Sequence, residues 1–166
     1  MSIDNIKLPG GLIIQLYKDS LVETAGAKQS NSKIIENKYN TLGNNQKNIL
    51  LIVNDSTSLH LNDTDFQFLT GILNACKLNM ADICLLNIFH YTNKGFDEIS
   101  QLFSPENVIL FDAKEELTGL KISSTTYEIV KYKDTQIITA PSLRFISENT
   151  EEKKKLWGAL KKIFNL

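Results

Sequence analysis

Two nearly uninterrupted apolar runs constrain this chain more than any other feature. Residues 48–53 read Asn-Ile-Leu-Leu-Ile-Val, and residues 83–89 read Ile-Cys-Leu-Leu-Asn-Ile-Phe. Neither alternates polar with apolar, so each is expected to be a strand buried on both faces. Between them, Phe66, Leu69, Ile72, Leu73 and Cys76 mark one helical face, with Asn62 placed to cap it and Asp65 three residues on. A short helix is expected around 96–103, a third strand over 107–111 and a helical turn around 114–120. Strand, helix, strand, helix, strand predicts a parallel sheet with helices on both of its faces.

The rest of the chain adds three segments. Residues 127–132 and 136–139 flank Lys133-Asp134 and read as a hairpin. Asn149 precedes Thr150-Glu151-Glu152, an N-cap with Glu at the third helical position, and Leu156, Leu160 and Ile163 then repeat on one face. Trp157 and Phe164 widen that face, which reads as core. At the other end, residues 1–25 form a unit of their own. Pro9-Gly10-Gly11 can start a helix whose apolar side carries Leu12, Ile13, Leu16, Tyr17 and Leu21. Residues 26–46, rich in Asn, Lys, Ser and Gly, read as a polar linker. The main domain is expected over 47–166.

Composition excludes several function classes. A net charge of −1 gives no basic field to draw the whole molecule onto nucleic acid, so DNA contact is expected to be indirect or weak. The lysines at 153–155 and 161–162 read as a solvated helix face. No apolar run approaches the roughly 18 residues of a membrane span, and the first residues start no signal peptide. A cytoplasmic protein is the expectation. Cys76 and Cys84 each sit in an apolar segment and read as reduced core residues, and His60 and His90 lack a neighbouring carboxylate–cysteine cluster. Neither a metal nor a cofactor is expected.

Ligands of a parallel sheet bind beyond the carboxyl ends of its strands. The residues there are 54–58, 87–91, 112–113 and 139–142. No glycine follows the first strand, so no phosphate loop forms, and no Gly-x-Ser-x-Gly elbow occurs. Asp55 and His90 would make an acid–base pair if their loops met. An aspartate after a strand is more often a cap.

The order of a buried strand with a loop, an amphipathic helix, a strand carrying Asn87, the strand Val108-Ile109-Leu110-Phe111, a hairpin, the Ala140-Pro141-Ser142 turn and a terminal Leu156-Trp157 helix resembles the uracil-DNA glycosylase superfamily. That resemblance covers roughly residues 48–164. It implies a three-layer α/β/α sandwich with a mostly parallel four-stranded sheet. Those enzymes extrude a base from DNA into a pocket. By the resemblance, Asn87 stands where an asparagine reads the base and Asp55 lies in the water-activating loop, which here lacks glycine and proline. Ala140 stands in place of the histidine, and two cysteines cannot supply the four that hold an iron–sulfur cluster in some members.

The same fold without the glycosylase chemistry occurs in the psi subunits of the bacterial DNA polymerase III clamp-loader assembly, and the chain resembles these more closely. The residues that carry this resemblance are Ile52-Val53-Asn54-Asp55, Ala140-Pro141-Ser142-Leu143 and Leu156-Trp157. It implies a non-catalytic interaction subunit. In that family an N-terminal segment docks on the clamp loader, and the globular domain holds a second small subunit that contacts single-strand DNA-binding protein. Leu12, Ile13, Leu16, Tyr17 and Leu21 would be the docking residues, the other reading of that helix being that it packs on its own domain. Asn54, Asp55, Asn87, Ala140, Pro141 and Ser142 would line a vestigial pocket. The alternative is a divergent nucleobase glycosylase using Asp55 and Asn87.

Overall fold

The computed structural model describes residues 38–91, 95–113, 119–120 and 125–166. The expected helix in residues 1–25, with Leu12, Ile13, Leu16, Tyr17 and Leu21, lies outside these residues, as does most of the helical turn expected around 114–120.

The sheet is centred on residues 49–53 and 83–86, which are apolar throughout and buried at every position. In chain order the described elements are β1 (Thr41–Leu42), β2 (Ile49–Val53), α1 (Asp63–Ala75), β3 (Ile83–Asn87), a 3₁₀ turn (Ile88–His90), α2 (Phe96–Phe103), β4 (Asn107–Phe111), β5 (Ile129–Tyr132), β6 (Thr135–Ala140), α3 (Leu143–Glu148) and α4 (Thr150–Phe164). The sheet order is β1-β3-β2-β4-β6-β5. Strands β3, β2, β4 and β6 run parallel to one another. β1 and β5 pair antiparallel on the two edges.

Successive side chains of β2 point to opposite faces. Ile49, Leu51 and Val53 pack with Leu69, Leu73, Ile146, Leu156 and Leu160, so α1, α3 and α4 cover one face. Leu50 and Ile52 pack with Phe96, Ile99 and Phe103, so α2 covers the other. Both caps read from sequence form. Asn62 accepts from the Asp65 amide at 3.0 Å, and Asn149 accepts from those of Glu151 and Glu152 at 3.1 and 3.4 Å. Cys76 and Cys84 are buried free thiols, and burial pushes Cys84 up to about 12. Among the described residues no helix is long and apolar enough to cross a membrane.

The sheet is six-stranded and mixed, where four mostly parallel strands were expected. The extra strands are the antiparallel edges. β5 is the outer arm of the hairpin. β1 falls inside the segment read as polar linker, and its two residues are too few to show a period. Tyr39 anchors this stretch. Its ring is 1% exposed, its centroid lies 4.8 Å from that of Tyr91 and 5.9 Å from that of Phe103, and its hydroxyl donates to Glu98 at 3.1 Å.

A crevice whose polar groups are spent on the fold

Asn87 ends β3 beside Val53, the last residue of β2, and is completely buried. Its Oδ1 accepts from the amides of Asp55 (3.0 Å) and Phe89 (3.2 Å). Its Nδ2 donates to the carbonyls of Asp55 (2.7 Å) and Ser58 (2.9 Å). A primary amide has two donors and two acceptor sites. All four are engaged with backbone, so Asn87 has nothing left with which to read a base. It clamps the loop after β2 to the end of β3.

Asp55 is occupied in the same way. Oδ1 accepts from the Thr57 amide (2.7 Å) and hydroxyl (2.6 Å), and Oδ2 from the Asn62 amide (3.0 Å) and side-chain Nδ2 (3.2 Å). Burial raises its pKa, but the hydrogen bonds from Thr57 and Asn62 outweigh burial and hold the carboxyl below its ordinary value of 3.8. The carboxylate therefore folds the loop onto the N-terminus of α1, because Asn62 is also the cap of that helix. His90 does not join it. The His90 ring meets the Ser58 carbonyl at 2.9 Å, and since a carbonyl only accepts, Nε2 is the protonated nitrogen.

On the far side of the crevice, Ala140 is buried and its methyl joins the apolar core. The Ala140 carbonyl accepts from the Asp112 amide at 3.0 Å. Ser142 accepts from the Phe145 amide at 3.3 Å and caps α3. The turn is a helix start. Of the residues read as a pocket, Asn54, Asp55 and Ser142 line a cleft of about 610 Å³, and Asn87, Ala140 and Pro141 do not. Asp65, Asp112 and Glu148 also line it, against one cation, Arg144, which is 3.3 Å from Glu148. That excess of carboxylates opposes a phosphate backbone. Asn54 Oδ1 is buried without a hydrogen-bond partner, one acceptor the fold leaves open. Among the described residues no cluster of His, Cys, Asp and Glu could hold a metal ion.

Sequence reasoning missed a second concavity. α1 and α4 do not close completely against each other. Between them lies a groove of about 400 Å³ lined by Phe68, Gly71, Ile72, Leu156, Trp157 and Leu160 among others. Trp157, read as core, is 37% exposed, while Leu156, Leu160 and Ile163 are buried as expected. The signal was Trp157's own position. It stands one residue after Leu156, about 100° around the helix, and so at the edge of the stripe. No protein-family model and no curated protein sequence matches the chain.

Proposed function

We propose that this protein is a non-catalytic interaction subunit of a DNA replication or repair complex, similar to the psi subunits of clamp-loader assemblies, with a glycosylase-like α/β domain. The observation that carries the reading is Asn87. The residue that would read a base is bonded on all four sides to the backbone around it. Ala140, at the place of the histidine, contributes a methyl to the core. The succession of buried strand, capped helix, Asn87 strand, hairpin, proline turn and Leu-Trp helix agrees with the same resemblance.

Partner capture is assigned to residues 9–22. Leu12, Ile13, Leu16, Tyr17 and Leu21 buried in a partner's groove at about 1.5–3 kcal/mol each would supply on the order of 10 kcal/mol gross. Ordering the segment takes about 2–5 kcal/mol of that. The remainder supports micromolar binding after association costs. Clamp-loader subunits are the partners the resemblance favours, with any DNA contact made through them.

Asp55→Asn separates this reading from a glycosylase using Asp55 and Asn87. A catalytic aspartate predicts lost base release with melting unchanged. A structural aspartate predicts no release of uracil from DNA even by the parent chain, and a variant destabilised by about 1–2 kcal/mol at neutral pH, discounted for its partial exposure. The sign follows from the depressed folded pKa. Asp55's contribution is full above the ordinary 3.8 and fades as the pH falls through the lower folded value. Thermal melts of both proteins from pH 7 to pH 2.5 should therefore converge on the acid side. Uracil release that Asp55→Asn removes at unchanged melting would defeat the proposal.

A further inference from the structure

We infer that the groove between α1 and α4 docks a single amphipathic helix from a protein partner, one that carries carboxylates two turns apart. The inference rests on the reading of this domain as an interaction subunit and gives that subunit a second docking face, separate from residues 9–22.

The walls are apolar side chains of the two helices, Phe68 and Ile72 on α1 and Leu156, Trp157 and Leu160 on α4. Gly71 lies in the lining, and a Cβ built there would meet nothing within 4 Å. Glycine inside a helix is less favourable than alanine. An exposed glycine facing an apolar groove gives a visiting helix backbone room to approach closely.

Charge selects the occupant. Lys153 is the one ionisable residue in the lining. Its Nζ lies 5.8 Å from the Phe68 ring centroid, and Lys161 Nζ lies 6.0 Å from that of Trp157. Lys154 and Lys155 are neutralised by Glu151 and Glu152 at 2.8 Å. Lys153 and Lys161 have no carboxylate partner among the described residues. They stand eight residues apart, about 12 Å along the helix. Both ammonium groups thus hang over the aromatic rings of the groove, where they meet the flank of whatever lies in it. Glutamates at i and i+7 or i+8 of a docked helix would reach both. A second copy pairing this face with itself by a two-fold axis would bring lysine-bearing edges together. The acidic helix is the better fit.

Trp157 is the only tryptophan in the chain, so its fluorescence reports on this groove. The full-length protein is titrated with three helical peptides that share Leu at i, i+3, i+4 and i+7 and carry Glu, Lys or Gln at the flanking positions. The Glu peptide is expected to give a saturable change in Trp157 emission, at least about tenfold tighter than the Lys peptide, and weaker as salt rises from roughly 0.05 to 0.5 M. Gly71→Leu, which fills the floor and favours the helix, should lower that affinity at least tenfold without lowering the melting temperature. Lys153→Glu with Lys161→Glu should reverse the preference toward the Lys peptide. Equal binding of all three peptides, or full binding by Gly71→Leu, overturns the inference. So does a Trp157 signal that changes with protein concentration alone, which marks a second copy. A Trp157 already shielded from iodide and silent to every peptide marks another segment of the chain in the groove and overturns it too. The titration reports on the groove whatever the natural partner is, so its failure leaves the adaptor reading standing, and loss of the adaptor reading is seen in partner capture and base release.

Discussion

Asn87→Ala is expected to destabilise the domain by about 3–4 kcal/mol. The substitution removes four hydrogen bonds at once and strands the amides of Asp55 and Phe89 and the carbonyl of Asp55, while the Ser58 carbonyl keeps only His90. A buried polar group left unpaired costs about 1–3 kcal/mol. The full sum is not reached, because the loop of residues 54–58 is partly exposed and water can reach some of its backbone once it lifts. Urea denaturation followed by circular dichroism measures the loss, with the m-value showing whether the native state has loosened. Asn87→Asp sharpens the test. A carboxylate can still accept from the two amides, but it cannot donate to the two carbonyls, so at neutral pH it should be nearly as damaging. An asparagine held ready for a base would behave differently. Its removal would leave stability within about 0.5 kcal/mol, as surface substitutions do.

Gly43→Ala should cost about 2–4 kcal/mol, although only one methyl is added. Gly43 has φ +101°, outside the range an L side chain readily adopts, and a Cβ there would lie 2.2 Å from the Ile83 carbonyl oxygen and 2.5 Å from that of Met80. Both obstacles are backbone and cannot rotate away. The Ile83 carbonyl already accepts the Asn45 amide at 2.9 Å, and Gln46 and Lys47 donate to Ala81 and Asp82 at 3.1 and 2.9 Å. The chain can relieve the clash only by lifting β1 and this ladder from β3, which opens the seat of Tyr39. Hydrogen exchange is the discriminating measurement. The amides of Asn45, Gln46 and Lys47 should lose protection in the variant, while those of β2 and β4 keep theirs. Unchanged melting with unchanged exchange would show that this edge does not depend on the glycine.

The contrast between these two sites explains what could be read from the sequence. The parallel core was legible because residues 49–53 and 83–86 are apolar at every position, and the helix starts were legible because Asn62 and Asn149 act on amides two or three residues away. β1 was not. Its two residues are held by Tyr39 against Tyr91 and Phe103, and Gly43 is required only because Ile83 and Met80 arrive beside it. Such requirements lie in distant parts of the chain and leave no local pattern.

Asn87 shows the same limit at the crevice. By the resemblance its type and position would suit a base-reading asparagine, yet three of its four hydrogen bonds go to Asp55 and Ser58, 32 and 29 residues earlier. Sequence identifies an amide at the end of a strand but not whether that amide has a free side. The groove escaped for a related reason. Periodicity shows that Leu156, Leu160 and Ile163 share a face, but not that α1 presents a bare Gly71 opposite the edge where Trp157 stands.

Partner capture tests the adaptor reading most directly. Full-length tagged protein and its Leu16→Asp variant are each used to draw partners from a lysate of the source cells, and the bound proteins are quantified by mass spectrometry. A charge placed on the apolar side of residues 9–22 would have to be buried unpaired in the partner, so it should abolish capture without touching the folded domain. The account predicts clamp-loader proteins enriched on the parent, by about tenfold or more over a mock capture, and absent from the Leu16→Asp sample. No enrichment on the parent, or equal enrichment on both, would contradict it.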